Sequence, residues 1–408
     1  MTDLPFARLV VSFGFRSVAR LTSFLCFAAA TGVSAVPDVG APSEAEALAS
    51  LVREAEALHA LPPLSVMDKK LTAASGDKHD FFAIGKLAWA NPDTANGMPW
   101  IRRDGAHNPA AFGSDYDKAH YDTTLQRIHV LALAWHHTRD ERHAAKAVSL
   151  IRAWFIDPAT RMNPNFKYAS ALPGVHDGMP IGIIEGVVLI KFIDDVKLLA
   201  GSASPTSADV AALKRWFADY TAWLLESEAG QEEGRATSNH GVWYAAQVAT
   251  YALFTRDHRH VAPMIDLGRQ ILDAMQNDEG GFPKELSRRQ SMHYSIYMLS
   301  AFVSLARCGE QSGDPENDLW HYVSPQGRSL KQGLVWIAPY LAREKPWPFE
   351  DIDRDLSKSI YVHALTILQS ASRVWPDRAA EWERASARVF GTQPTPVQAR
   401  WLLTPSDR

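Results

Sequence analysis

From Tyr121 onward, apolar residues recur every three or four positions almost without interruption. That spacing predicts helices over about 121–137, 141–155, 181–200, 206–228, 238–254, 258–277, 291–308, 328–343, 357–373 and 377–390. Gly, Pro, Asp and Asn punctuate the joints. Upstream, Ser43-Glu44-Ala45-Glu46 reads as a capping box opening one more helix, with Leu48, Leu51, Val52, Ala55 and Leu58 on a single face and Pro62-Pro63 ending it. Residues 64–120 have little periodicity, and a stretch this long without regular structure reads as a lid or cleft wall. No convincing run of alternating strands appears, and the missing βα rhythm argues against Rossmann and barrel enzymes. Thr138-Arg139-Asp140 is echoed by Thr255-Arg256-Asp257, each set between two apolar helices. Repeated helix hairpins bury one another's apolar faces. The pattern therefore predicts an all-α fold, an incomplete (α/α) toroid of helical hairpins with an irregular N-terminal lid region.

The first 35 residues belong to another class. Arg16 and Arg20 precede the apolar run Leu21–Ala30, and Val33-Ser34-Ala35 is a small-residue cleavage site. This order predicts a signal peptide over 1–35, cleavage near Ala35, and a mature domain over 36–408 in the periplasm or secreted. Cys26 falls in the removed segment, so Cys308 has no partner for an internal disulfide. No second hydrophobic stretch reaches spanning length. The whole chain carries net charge −4, and losing Arg8, Arg16, Arg20 and Asp3 takes it to −6. So mildly acidic a protein lacks the basic face that nucleic acid demands. An anionic substrate would need its cations concentrated in a cleft, with Arg102-Arg103 and Arg288-Arg289 as the contributors. Composition leaves oligomeric state undetermined.

Two helix starts concentrate the chemistry. In Thr237-Ser238-Asn239-His240-Gly241-Val242-Trp243-Tyr244, a polar cluster precedes an apolar run, with Thr237 or Ser238 as N-cap. Asn239 and His240 then lie in the first turn, where free N–H groups and the dipole favour an anion. Some fifty residues later, Lys284 to Ser295 runs from a charged loop into a helix, carrying Glu285, Arg288, Arg289, His293 and Tyr294. On residue types alone, capping and surface arginines explain these stretches equally well. His136-His137 and His258-x-His260 lack a carboxylate or cysteine at ligand spacing, so neither a metal nor another cofactor is expected. Trp154, Trp243 and Trp320 read as packing, while Trp89, Trp100, Tyr116 and Tyr121 are possible sugar contacts.

Asn239-His240-Gly241-x-Trp243-Tyr244 followed by Glu285-Leu286-x-Arg288 and Tyr294-Ser295 resembles the alginate lyase superfamily of polysaccharide lyases. Further blocks resemble it in the same order. These are Gly97 to Gly105 with Asn108-Pro109, Ala153 to Asn165, Pro173-Gly174, Gly182-Ile183-Ile184 and Asp318-Leu319-Trp320. The resemblance implies a toroid enzyme cleaving an anionic uronate polysaccharide by β-elimination without a cofactor. It implies Tyr294 as catalytic acid and, for some uronates, also base, His240 as catalytic histidine, and Asn239 and Arg288 neutralising the carboxylate. Arg103, Trp100, Arg289 and His293 are the further substrate-binding candidates, and Glu285 is expected to be structural, pairing an arginine. Whether His240 or Tyr294 removes the C5 proton stays open. Ser238, Ser170, Met179-Pro180 and Ala245 depart from residues common in the family, which leaves alginate, polymannuronate or glucuronan as substrates. The rival readings are a toroid glycoside hydrolase, with Asp177 and Glu185 as its nearest carboxylate pair, and a non-catalytic glycan-binding protein.

Overall fold

The computed structural model describes residues 42–405 apart from Arg354 and 357–359; the expected signal peptide lies outside these residues. Fourteen α-helices are present among them: α1 (Glu44–His59), α2 (Lys118–Thr138), α3 (Glu141–Ile151), α4 (Val188–Leu198), α5 (Ser207–Glu226), α6 (Glu228–Gly234), α7 (Asn239–Thr255), α8 (Val261–Met275), α9 (Pro283–Leu286), α10 (Ser291–Ser312), α11 (Leu330–Leu341), α12 (Ile360–Val374), α13 (Ala379–Gly391) and α14 (Thr395–Leu403). Helices α2, α4, α7, α10 and α12 touch in series, with α3 packed on α2, α8 on α7 and α13 on α12. The last helix, α14, packs back on α1, where Arg400 meets Glu54 at 2.9 Å. The architecture is the expected incomplete toroid of hairpins.

Local chemistry explains most boundaries. Ser43 and Glu46 form the capping box read from sequence, and Thr206 with Asp209 forms another at α5. The Thr-Arg-Asp echo proves to be a shared helix stop: Arg139 and Arg256 both adopt the left-handed conformation just past α2 and α7, with φ of 58° and 65°. Some elements differ from expectation. Residues 180–187 wind as a 3₁₀ helix before α4, and only a glycine fits at 182, where a Cβ would sit 2.6 Å from the Ala169 carbonyl oxygen. The helix expected over 206–228 breaks at Ser227, which caps the short α6. Helix α14, following Pro394, escapes a reading by periodicity because its nine residues are too short a window to display a helical period.

Strands also exist, though too short for a period-2 signal. Strand β1 (Phe82–Ile84) pairs in parallel with β4 (Tyr168–Ala171), and β2 (Ala88–Trp89) pairs antiparallel with β3 (Ile101–Arg102). They anchor the irregular 64–120 region, together with a fully buried ion pair, Lys69 Nζ to Asp117 Oδ2 at 3.0 Å. Burial pushes the Asp117 carboxyl up to about 7 against the pull of Lys69. The Lys69 ammonium also donates to the Val66 and Lys78 carbonyls. Tyr121, offered above as a sugar contact, is fully buried beside Phe81 and Trp154 and belongs to the core.

Helix α7 is the shared wall of the molecule. Every residue from Gly241 to Ala252 is buried, as expected of a helix apolar all round. Tyr244, Val248 and Tyr251 face one hydrophobic core, while Val242, Trp243, Ala245, Ala246, Ala249 and Ala252 face the other. At Gly241 a Cβ would overlap the Ala236 carbonyl oxygen and lie 2.9 Å from Ile271. Gly241→Ala should therefore lower stability by roughly 1–3 kcal/mol, as overpacking does. Urea unfolding of the two chains measures this, and unchanged stability would contradict the close packing at this helix start.

Candidate active site

Ser238 caps α7, its Oγ accepting from the His240 N–H at 3.3 Å. The next two residues are each fixed by a buried glutamate. Asn239 donates both its backbone N–H and its Nδ2 to Glu285 Oε1, each at 2.9 Å. His240 Nδ1 lies 2.6 Å from Glu233 Oε1. A carboxylate only accepts, so Nδ1 carries a proton and Nε2 is the ring nitrogen left for another partner. Glu233 and Glu285 are 3% and 2% exposed, whereas the His240 side chain retains a quarter of its surface. Asn239 is itself 2% exposed. One of its amide hydrogens is committed to Glu285, leaving one for any further partner.

Glu285 belongs to α9, a single turn opened by Pro283. The backbone N–H of Arg288 returns to the Glu285 carbonyl at 3.2 Å, so the carboxylate under Asn239 and the next guanidinium share one turn. Glu285 was expected to pair an arginine; it instead holds the start of α7, because its carboxylate is buried while Arg288 turns outward. The Arg288 Cζ sits 3.7 Å from the centroid of the Tyr294 ring. Its Nη2 donates to Asp104 Oδ1 at 2.8 Å, and Arg289 Nη1 donates to the Asp104 carbonyl at 3.2 Å. The irregular region therefore reaches the site, its tip clamped by two arginines.

Electrostatics around Tyr294 oppose each other. Burial raises its phenol above the ordinary range, the Arg288 charge pulls it down, and Asp104 and Glu285 push it up. Burial likewise pushes His293 down to about 3, helped by Lys86, His363, His107 and Arg288, so His293 is a neutral group near neutral pH. It stacks edge-on against Tyr294 at 5.1 Å. Among the other substrate-binding candidates, Arg103 is exposed and lies over Trp89 at 5.2 Å. Trp100 packs against Ile84, Ala111 and Ala171. Trp154, Trp243 and Trp320 are core residues, as read from sequence.

The structure thus brings Arg288 against Tyr294, and joins Asn239 to the turn of Arg288 through Glu285. It keeps Arg103 and Trp100 on the irregular region. Sequence reasoning missed Asp104 and Glu233. Asp104 sits beside Arg103 with nothing to separate it from a surface acid, and Glu233 lies in the acidic run Gln231-Glu232-Glu233, where no pattern marks which acid is buried. Glu185, half of the carboxylate pair a hydrolase would need, is tied to Lys118 at 2.9 Å, and Asp177 is exposed.

A family model described as alginate lyase matches residues 65–347. The chain belongs to the alginate lyase family. It is accordingly a uronate polysaccharide lyase. An alginate lyase from Bacteroides ovatus, solved as a crystal structure, is 30% identical over 88% of this chain and 92% of its own, with a TM-score of 0.79. A variant of alginate lyase A1-III of Sphingomonas species A1, complexed with tetrasaccharide, shares the fold at 13% identity, with a TM-score of 0.50 over 80% of this chain and 88% of its own. No curated protein matches. Among the described residues no helix is long and apolar enough to cross a membrane.

Asp104 offers a direct test of Tyr294 as a candidate catalytic group. Asp104→Asn removes one group that raises the Tyr294 phenol and leaves the Arg288 charge without its carboxylate. Both changes favour the phenolate, so the acid limb of kcat/KM should move to lower pH, since that profile reports groups of the free enzyme. A limb that stays or moves upward would contradict Asp104 as a brake on Tyr294 ionisation.

Proposed function

We propose that this lyase cleaves a mannuronate- or glucuronate-containing polymer by syn β-elimination, with Tyr294 as both base and acid. The observation that carries the reading is the guanidinium of Arg288 lying 3.7 Å from the Tyr294 ring. A phenol near its ordinary pKa of about 10 is a poor base at neutral pH; burial raises Tyr294 further, and the permanent cation beside it is the group that opposes that rise and favours the phenolate.

The C5 proton of a uronate is weakly acidic because its neighbour is an ionised carboxylate. Proton loss places enolate-like charge on that carboxylate, which must be stabilised. Arg288 supplies a permanent charge, His240 a donor once protonated at Nε2, and Asn239 its remaining amide hydrogen at a helix start. The Tyr294 phenolate removes the C5 hydrogen, and the C5–H electrons pass to the carboxylate as enolate-like charge. That charge then collapses into the C4–C5 double bond as the C4–O bond breaks, and the phenol gives its proton to the departing oxygen. In mannuronate and glucuronate the C5 hydrogen and C4 oxygen share a face, so one group serves both steps. In guluronate they lie on opposite faces, and His240 would be the base with Tyr294 as acid. His240 Nε2 is the available nitrogen for that role, because Nδ1 faces Glu233. Arg289 and Arg103, both exposed on the Asp104 side, suit the carboxylates of neighbouring sugars. Export to the periplasm or beyond, as read from the N-terminal segment, places such an enzyme where polymers are met.

Incubation with polymannuronate, polyguluronate and glucuronan, followed by ultraviolet absorbance of the unsaturated product, ranks the substrates. The proposal expects the fastest rise on polymannuronate or glucuronan, and a preference for polyguluronate would transfer the base to His240. Tyr294→Phe should lower kcat by at least about 10²-fold while leaving substrate affinity within about tenfold, because one hydroxyl leaves the reacting centre. Full turnover by that variant would remove Tyr294 from the mechanism.

A further inference from the structure

Outside the lyase site, two imidazoles from separate helices meet nitrogen to nitrogen. His59, in the last turn of α1, places Nε2 3.0 Å from Nδ1 of His143, in the first turn of α3. The rings are tilted by 31° with centroids 5.1 Å apart. Glu56, one turn before His59, has a carboxylate oxygen 4.0 Å from Nε2 of His143, and one ligand atom from each of the three residues lies within 4.8 Å of the other two. We propose that Glu56, His59 and His143 bind a zinc-class divalent cation that pins α1 to α3.

The donor set is the one such an ion selects, two imidazole nitrogens and a carboxylate oxygen, with a fourth position for water. Two bonds of about 2.0–2.1 Å at a tetrahedral angle separate the nitrogens by roughly 3.3 Å. The observed 3.0 Å needs only a few tenths of an ångström of opening. His143 is 1% exposed, so its ring is held in place by the packing around it. Glu56 presently accepts from Arg142 at 2.8 Å. Arg142 is also gripped by Asp140 through Nε at 3.1 Å and Nη2 at 2.6 Å, so Glu56 can turn to an ion without stranding the guanidinium. The nearby Lys146 ammonium is directed to the carbonyls of His59 and Leu61 rather than into the cluster.

The location assigns a structural purpose. Helix α1 receives the final helix α14, with Arg400 on Glu54, so an ion linking α1 to α3 fastens both ends of the described chain to the first hairpin. The lyase chemistry proceeds elsewhere and does not require it.

The test uses the chelator-treated full chain with zinc chloride, followed by calorimetric titration and thermal unfolding, with magnesium chloride as the control. The proposal expects one equivalent bound with a dissociation constant in the micromolar range or tighter, and a raised Tm, because an ion that binds only the folded state stabilises it. His59→Gln, at a half-buried position, should fold, weaken binding at least roughly tenfold and lose the Tm rise. Glu56→Gln should weaken binding less. No saturable zinc binding below about 100 μM would overturn the site and leave the two histidines as a hydrogen-bonded pair. Equal zinc affinity and an equal Tm rise in His59→Gln would also overturn it, by placing the ion elsewhere.

Discussion

Two buried carboxylates govern this structure. A carboxylate withdrawn from water is tolerated only when its lone pairs are taken up, and stranding one by deleting its partner costs on the order of 3–5 kcal/mol. Glu285 and Glu233 are satisfied at the same place, the first turn of α7, by Asn239 and His240 in turn. The positive end of the helix dipole adds to the pairing. The body of α7 is meanwhile locked between two hydrophobic cores that both claim its side chains. Sliding or rotating the helix would strand both acids and open both cores, so its first turn is held rigidly.

That rigidity has a chemical consequence. The imidazole of His240 is delivered with one tautomer selected and one nitrogen outward. Across the site, Arg288 is placed not by a core but by a balance, between the Tyr294 ring beneath it and Asp104 at its edge. Asp104 arrives from the irregular segment, which β1, β2 and the buried Lys69–Asp117 pair fasten to the helices. The segment is thus part of how the phenol's ionisation is set.

Much of this was legible in sequence. The helical period, the Ser43 capping box and the polar cluster at Ser238 each rest on local chemistry, and local chemistry is what a sequence displays. The repeated Thr-Arg-Asp marked two equivalent helix stops for the same reason. What escaped notice depended on distant partners. Glu233 and Asp104 look like any surface acid until the fold buries one and sets the other on Arg288, and Glu285 shows its partner only once α9 meets α7. Short strands escaped because two to four residues carry no measurable alternation. The close approach of Gly182 to Ala169 at the 3₁₀ turn before α4 joins residues 13 positions apart in the chain. The His59–His143 meeting, 84 residues apart, belongs to the same class.

The central claim is that the start of α7 and the α9–α10 turn close on a single sugar acid. A crystal structure of the Tyr294→Phe chain with an oligouronate bound examines it most directly. The account predicts one carboxylate of the sugar within hydrogen-bonding distance of His240 Nε2 and the Arg288 guanidinium, with C5 and the C4 oxygen facing the edge of the substituted ring. An oligosaccharide seated elsewhere, or a carboxylate held by neither group, would contradict it.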